Sequence, residues 1–256
     1  MTSPFRCFFS QASQLRVGQS YPLPDPEAHH LLHVLRAKIG SEIHLLDGNG
    51  HIAITHLESH GPQAHVRIEE HLHIPPTPLK ITLAQGLLKK NAMEWLFREA
   101  TAIGVNQIIP IVAERSELKI PQSQVLQKME RWREITIGAC KQSYQAFLPK
   151  ISSPQNLEKY LTQSLSDVLL VGSLEEDAQA LWHKLETIAS QQKISSMTLF
   201  IGPEGDFTPK EYQLLDTRRA HNVRLSHQIL RSETASSYAL SVIDQWTQYY
   251  AIKSHR

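Results

Sequence analysis

Apolar positions along this 256-residue chain fall into two regimes that meet near residue 75. In the first, short apolar runs separated by turn residues read as strands: Ile43 to Leu46, Ile52 to Leu57 and Ala64 to Ile68. Asp47-Gly48-Asn49-Gly50 joins the first two, and its glycines supply the positive φ of a tight hairpin. Leu31, Leu32, Val34 and Leu35 predict one short helix between Pro26 and Lys38. The segment His73-Ile74-Pro75-Pro76-Thr77-Pro78 stops any regular element. The expected layout is a small, mostly β domain of barrel type over residues 1–74, followed by a larger domain over 75–256.

Beyond the prolines, strands alternate with helices, the pattern of an α/β protein with a largely parallel sheet. Candidate strands are Lys80 to Leu87, Gln107 to Val112, Asp167 to Val171, Met197 to Ile201 and Val223 to Leu225. Met93, Leu96, Phe97 and Ala100 share one face of a helix that ends at Gly104. Ser173 with Glu176, and Thr208 with Glu211 and Pro209, have the spacing of capping boxes, and Ser232 is the expected N-cap of the last helix. That helix places Ala235, Tyr238, Ala239, Val242 and Trp246 on one side and adds Leu240, Ile243, Thr247 and Tyr250, an apolar surface wide enough to need cover on two sides. A homodimer would supply the second.

Composition narrows the classes. Hydrophobic residues at 41% and charged residues at 20% exclude disorder as the main state. No run approaches the roughly 18 apolar residues of a membrane span, and no secretory leader is visible, so the expected location is the cytoplasm. Two cysteines, Cys7 and Cys140, cannot build a disulfide framework or a zinc finger. The net charge of +1 hides a basic middle: residues 77–157 carry 11 Lys/Arg against 6 Asp/Glu. That is a mild hint of a polyanionic partner. Part of it lies on a helix expected from about Ser123 to Gln145, with Lys128, Arg131, Arg133 and Lys141 outward and Val125, Met129, Trp132 and Cys140 inward.

Ten of 14 histidines precede residue 74, and His29, His30 and His33 look like a metal cluster. HHxxH lacks the glutamate of HExxH, so no metal is expected. GxGxxG, GxxxxGK[ST] and GxSxG are all absent. Two segments at the carboxyl ends of candidate strands remain, where open α/β sheets bind ligands. In Ile201-Gly202-Pro203-Glu204-Gly205-Asp206-Phe207-Thr208, two glycines let a ligand approach bare backbone. Read blandly, it is a tight strand-to-helix turn. In Val223-Arg224-Leu225-Ser226-His227-Gln228-Ile229-Leu230-Arg231-Ser232-Glu233-Thr234-Ala235, the aliphatic pair Ile229 and Leu230 can wall an aromatic ring while Arg231 and Glu233 address polar atoms. Its bland reading is an N-cap with a surface ion pair.

Taken in order, EAHHLLHVLRAKIGSEIHLLDGNG, LLKKNAMEWLFREATAIGVNQIIPIVAERSE, RWREITIGACKQS, GPEGDFT and LSHQILRSETA resemble the bacterial 16S rRNA uridine-N3 methyltransferases, the RsmE family. The resemblance implies a PUA-like N-terminal β-barrel joined to a SPOUT domain, whose last third forms a trefoil knot that binds S-adenosyl-L-methionine, in a homodimer acting on 16S rRNA of the small ribosomal subunit. By motif, Ile201, Gly202, Pro203, Glu204 and Gly205 would form one wall of the cofactor site, and Leu225, Ser226, Ile229 and Leu230 the other, with Val171 and Gly172 beside the adenine. Arg231, Glu233 and Glu204 are the candidate catalytic residues. Arg6, His29, His30, Arg36 and Lys38, with Lys89 and Arg115, are the candidate RNA contacts. Asp206 and Ser226 stand where the family usually has glycine.

Overall fold

The computed structural model describes residues 4–60, 63–163 and 165–254. Its contacts divide the chain into two units, Met1–Pro76 with Ile137–Leu148, and Thr77–Thr136 with Pro149–Arg256.

In the first unit, strands β1 (Phe5–Phe8), β2 (Ser20–Pro22), β3 (Glu42–Leu46), β4 (His51–Ser59) and β5 (His65–His73) form a half-barrel sheet ordered β1-β3-β4-β5-β2. β1 runs parallel to β3 and the other pairs are antiparallel. The β3–β4 hairpin closes as its glycines require, with Gly48 at φ 79 and Gly50 at φ 94. The Asp47 carboxylate accepts from the backbone N–H of Asn49 (2.7 Å) and His51 (3.0 Å). The expected helix is shorter than its apolar residues suggest. It runs as α1 (Asp25–His29) plus one wide turn, His30–Val34, and then breaks where Arg36 takes φ 55. Only Leu31 is fully buried; Val34 and Leu35 are exposed. The segment Ile137–Leu148, which holds the end of the basic helix, packs in this unit: Ala146 joins Leu46 and Ile52, and Lys141 pairs with Glu27 at 2.8 Å.

In the second unit, strands β6 (Lys80–Gly86), β7 (Gln107–Val112), β8 (Lys150–Ile151), β9 (Gln155–Asn156), β10 (Val168–Gly172), β11 (Gln179–Ala180), β12 (Ser196–Ile201) and β13 (His221–Arg224) form a parallel sheet ordered β11-β13-β10-β12-β6-β7-β8, with β9 also beside β7. Its helices are α2 (Lys90–Ile103), the part of α3 (Val125–Ser143) up to Thr136, α4 (Leu157–Leu161), α5 (Leu181–Ala189), α6 (Pro209–Thr217) and α7 (Ser232–Ser254). Alternate residues of each central strand serve opposite cores. Leu83, Leu170 and Leu199 meet Phe97, Leu185 and Ile243 on one face, whereas Ala84, Val171 and Phe200 meet Tyr160, Phe207 and Leu215 on the other. Both faces are covered, which is why these strands read as continuous apolar runs.

Two capping expectations are corrected. The Ser173 hydroxyl accepts from the Glu175 N–H (3.1 Å) within a turn, and α5 begins only at Leu181 after Ala180, which makes no side-chain cap. Ser232 is the first residue of α7, and its hydroxyl is spent on the Gly202 carbonyl instead of its own helix. The Thr208–Glu211 box forms with both reciprocal bonds. On α7 the expected Ala239, Leu240, Ile243 and Trp246 are buried, with Ala235, Val242 and Tyr250 packed partly buried beside them; Tyr238 is exposed, and Ser236 is buried although it was not expected. Ser232 and Ser236 are buried by hydrogen bonding, which leaves no hydrophobic signal in the sequence.

Candidate functional site

A parallel sheet delivers every strand-to-helix loop of one direction to the same edge. Here the strand order brings the loops after β6, β10, β12 and β13 together around a cavity of about 930 Å³. Close approach at this edge depends on one missing side chain: a β-carbon on Gly86 would stand 2.4 Å from the Pro203 nitrogen.

Most residues expected from sequence line the cavity. Gly172, Ile201, Gly202, Pro203 and Glu204 stand on one side, and Leu225, Ser226, Ile229 and Leu230 on the other, with Arg231 and Glu233 at the start of α7. Two of the proposed wall residues do not line it. Val171 points into the β-sheet core, and the Gly205 carbonyl accepts from the Arg115 guanidinium at 3.0 Å. Glu204 accepts from the Lys89 backbone N–H at 3.1 Å, which ties the β12 loop to the start of α2. Among the described residues, the side chains of Arg231 and Glu233 have neither hydrogen-bond nor ion-pair partners, so the Arg–Glu surface pair of the bland reading is absent.

Asp206 adopts φ 59, the left-handed region that Asp tolerates better than most side chains. Its carboxylate accepts from the Phe207 N–H (2.8 Å). The Ser226 hydroxyl accepts from the Gln228 N–H (3.1 Å) in a local turn. Both departures from glycine are thus absorbed by side-chain hydrogen bonds without displacing the loops from the cavity.

Sequence reasoning gave no place in the site to Lys90 to Ala92, Ser173 or Leu174 and took Lys89 only as an RNA contact, while Asp206, Arg224, Gln228, Ser232 and Ala235 fell inside the two chosen segments without being named as lining groups. The first group had a signal, since it follows the carboxyl end of β6 just as the chosen loops follow theirs. Gln85, buried beneath the site, had none.

Of the residues chosen for RNA, Arg6, His29, His30, Arg36 and Lys38 lie in the first unit and Lys89 and Arg115 in the second. Arg6 donates to the carbonyls of Lys141 (3.3 Å) and Gln142 (2.9 Å) and lies over the Tyr144 ring. The His29 ring rests 4.8 Å from that of His33; His30 is half-buried; Arg36 and Lys38 are exposed. Lys89 pairs with Glu117 at 2.9 Å, and that carboxylate raises the ammonium's affinity for its proton. Arg115 also reaches the Phe207 carbonyl, so its guanidinium braces the β12 loop. Among the described residues no His, Cys, Asp or Glu group is arranged to hold a metal ion.

The site suits an adenosyl amino acid. Its volume lies in the range of small-ligand pockets. Ile201, Leu225 and Leu230 offer aliphatic surface to a flat ring, and Glu204 and Glu233 offer carboxylates to a cationic centre. A loop-lined pocket at the carboxyl edge of a parallel sheet, in a chain that also carries a separate half-barrel unit, defines a nucleotide-cofactor enzyme of the α/β class with an appended module. The chain belongs to the RNA methyltransferase family: the family model described as "RNA methyltransferase domain" matches residues 75–244, and that described as "RNA methyltransferase PUA domain" matches 23–69. Its relatives include the ribosomal RNA small subunit methyltransferases E of Bacillus subtilis, 29% identical over 92% of this chain and 93% of that one, and of Synechocystis, 30% identical over 87% and 72%. Two solved structures resemble it throughout. The Neisseria gonorrhoeae ribosomal RNA small subunit methyltransferase E bound to S-adenosyl methionine has a TM-score of 0.84 at 27% identity, covering 95% of this chain and 98% of that one. A Legionella pneumophila protein with bound cofactor SAM has 0.85 at 28%, with the same coverage.

Proposed function

We propose that this protein is an S-adenosyl-L-methionine-dependent rRNA methyltransferase that modifies N3 of a uridine in the 16S rRNA of the small ribosomal subunit, acting as a homodimer in the cytoplasm. The observation that carries the reading is the cavity itself, where the two turns chosen from sequence converge on Arg231 and Glu233. The solved relatives hold SAM, and the curated relatives are named for the small-subunit RNA.

The cofactor supplies an electrophilic methyl group when bound. This chain's residues must hold the acceptor in line and deal with its proton, because uracil N3 is a poor nucleophile until that proton leaves. Arg231, exposed and unpaired at the mouth, is placed to offset negative charge on the base. Glu233 accepts the proton in this scheme. Glu204 is already oriented by the Lys89 N–H and serves as a fixed charge in the wall.

The half-barrel unit, which carries the exposed Arg36 and Lys38, is assigned to docking of the RNA, with Lys89 at the cavity edge. Tyr238 and the Trp182–Tyr249 ring pair (5.8 Å) leave aromatic surface exposed on α7 and α5, which supports the second subunit. Mass mapping of small-subunit rRNA from cells with and without the protein tests the acceptor. One N3-methyluridine that disappears is the expected result, and loss of a methyl group from any other base or RNA would replace it.

A further inference from the structure

A buried side-chain amide is hydrogen-bonded at both ends, and its partners reveal what it holds. Gln85, near the end of β6, is fully buried and does not line the cavity. Its Nε2 donates to the Gly86 carbonyl (2.9 Å), to Ser232 Oγ (2.9 Å) and at longer range to the Gly202 carbonyl (3.4 Å). Its Oε1 accepts from the Ser236 hydroxyl. Ser232 passes its own proton to the Gly202 carbonyl, and Ser236 also reaches the Ser232 carbonyl at 3.1 Å.

These partners fix the direction of the network. Carbonyls at Gly86 and Gly202 can only accept, so the nitrogen end of the amide must face them. Ser232 donates to Gly202 and must therefore accept from Gln85. The proton order runs Ser236 to Gln85 to Ser232 to Gly202. The elements joined are the end of β6 beneath the cavity, the turn after β12 that forms one of its walls, and the first turn of α7, which begins beside Arg231.

We propose that Gln85 is a positioning residue for the methyl-donor pocket: its amide sets the spacing between the Gly202 turn and the first turn of α7, and thereby the stance of Arg231 and Glu233. The inference rests on the cofactor reading above. The Ser232 hydroxyl bridges the same three elements, but only by accepting from Gln85 itself, and satisfied buried networks of this kind specify one arrangement.

The isostere Gln85→Glu isolates the effect. An ionised carboxylate would set oxygen against the Gly86 and Gly202 carbonyls, whereas the protonated acid donates one bond again; burial among carbonyls makes that acid titrate high. Titration calorimetry with S-adenosylhomocysteine at pH 6 and pH 8.5 should show little change in wild type. In Gln85→Glu, affinity should be about tenfold weaker at the higher pH, the cost of one unsatisfied buried acceptor, with partial recovery at the lower. A merely structural role predicts no such inverted pH dependence. Ser236→Ala, which removes the donor to Oε1 together with the 3.1 Å contact to the Ser232 carbonyl, should weaken binding severalfold at both pH values. In ligand-free protein, amides of 203–207 and 233–236 should exchange faster in both variants.

Wild-type affinity and wild-type exchange in either folded variant would overturn the proposal. If Gln85→Glu does not fold, Ser236→Ala decides alone on the same two readouts. Wild-type protein that binds no S-adenosylhomocysteine would refute the cofactor reading instead, and the exchange comparison would still decide whether Gln85 holds the two turns together.

Discussion

The Tyr212 hydroxyl lies 3.1 and 3.2 Å from the two carboxylate oxygens of Asp206, tying α6 back to the turn that precedes it. Asp206 also lines the cavity, so the bond couples a helix of the opposite core to one wall of the pocket.

Replacing Asp206 by Gly removes this link and the bond to the Phe207 N–H. Relief of the left-handed backbone is worth about 1–2 kcal/mol, against roughly 1.5–3 kcal/mol for hydrogen bonds to a charged group. We expect Asp206→Gly to be less stable by about 1 kcal/mol, a fall of about 2–4 °C in Tm by calorimetry. A melting point at or above wild type would mean that the carboxylate contributes nothing.

Burial, followed by the Asp206 charge, raises the Tyr212 phenol well above its ordinary range. A raised value means that the folded state holds the proton more tightly, so the stabilisation is complete below about pH 10, the unfolded value, and is lost as pH climbs toward the folded one. Tm of wild type should therefore drop more steeply above pH 10 than that of Tyr212→Phe. Parallel curves would contradict the assignment.

Arg231→Ala should leave the melting curve within about 0.5 kcal/mol of wild type, because the side chain is exposed and unpaired. Methyl transfer to rRNA should fall by at least about 100-fold, the scale of losing one charge-stabilising donor. Full turnover in the variant would remove Arg231 from the mechanism.

RNA affinity should decline with salt, whereas S-adenosylhomocysteine affinity should hardly move. Neutralising Arg36 and Lys38 together should lower the salt slope by up to about 1.4 if both meet phosphates. An unchanged slope would place the RNA elsewhere on the molecule.

Both thiols should be inert in the native protein. Burial pushes the Cys140 thiol up to about 12, and burial with the nearby Glu27 carboxylate raises Cys7 further. Alkylation followed by mass spectrometry should modify neither until the chain is unfolded. Rapid labelling of Cys140 under native conditions would show that its pocket opens.

Local pattern carried the main strands well, and Gln107–Val112 was legible to the residue. It missed β1 and β2, which are short edge strands whose existence depends on partners: Phe5 pairs with Ile43 and Tyr21 with Val66, far along the chain. The two-residue strands β8, β9 and β11 escaped for the same reason. In the site, the glycine-bearing turn and the Ile229-Leu230-Arg231 segment were legible because the ends of parallel strands are marked by where apolar runs stop. The bracing role of Arg115 was not, since a surface guanidinium carries no mark of the carbonyls it will meet.

Sequence alone determined the central strands, the hairpin chemistry at Asp47 to Gly50, the Thr208 cap and the family, because each rests on neighbouring residues or on the order of short motifs. The tertiary structure decided which loops share an edge and what lies beneath them. Placing β6 between β12 and β7 set Gln85 against Gly202 and Ser232, positions 117 and 147 residues away. Hydrogen bonds at such separations leave no periodicity behind, and only the pairing order of the strands brings their donors and acceptors into reach.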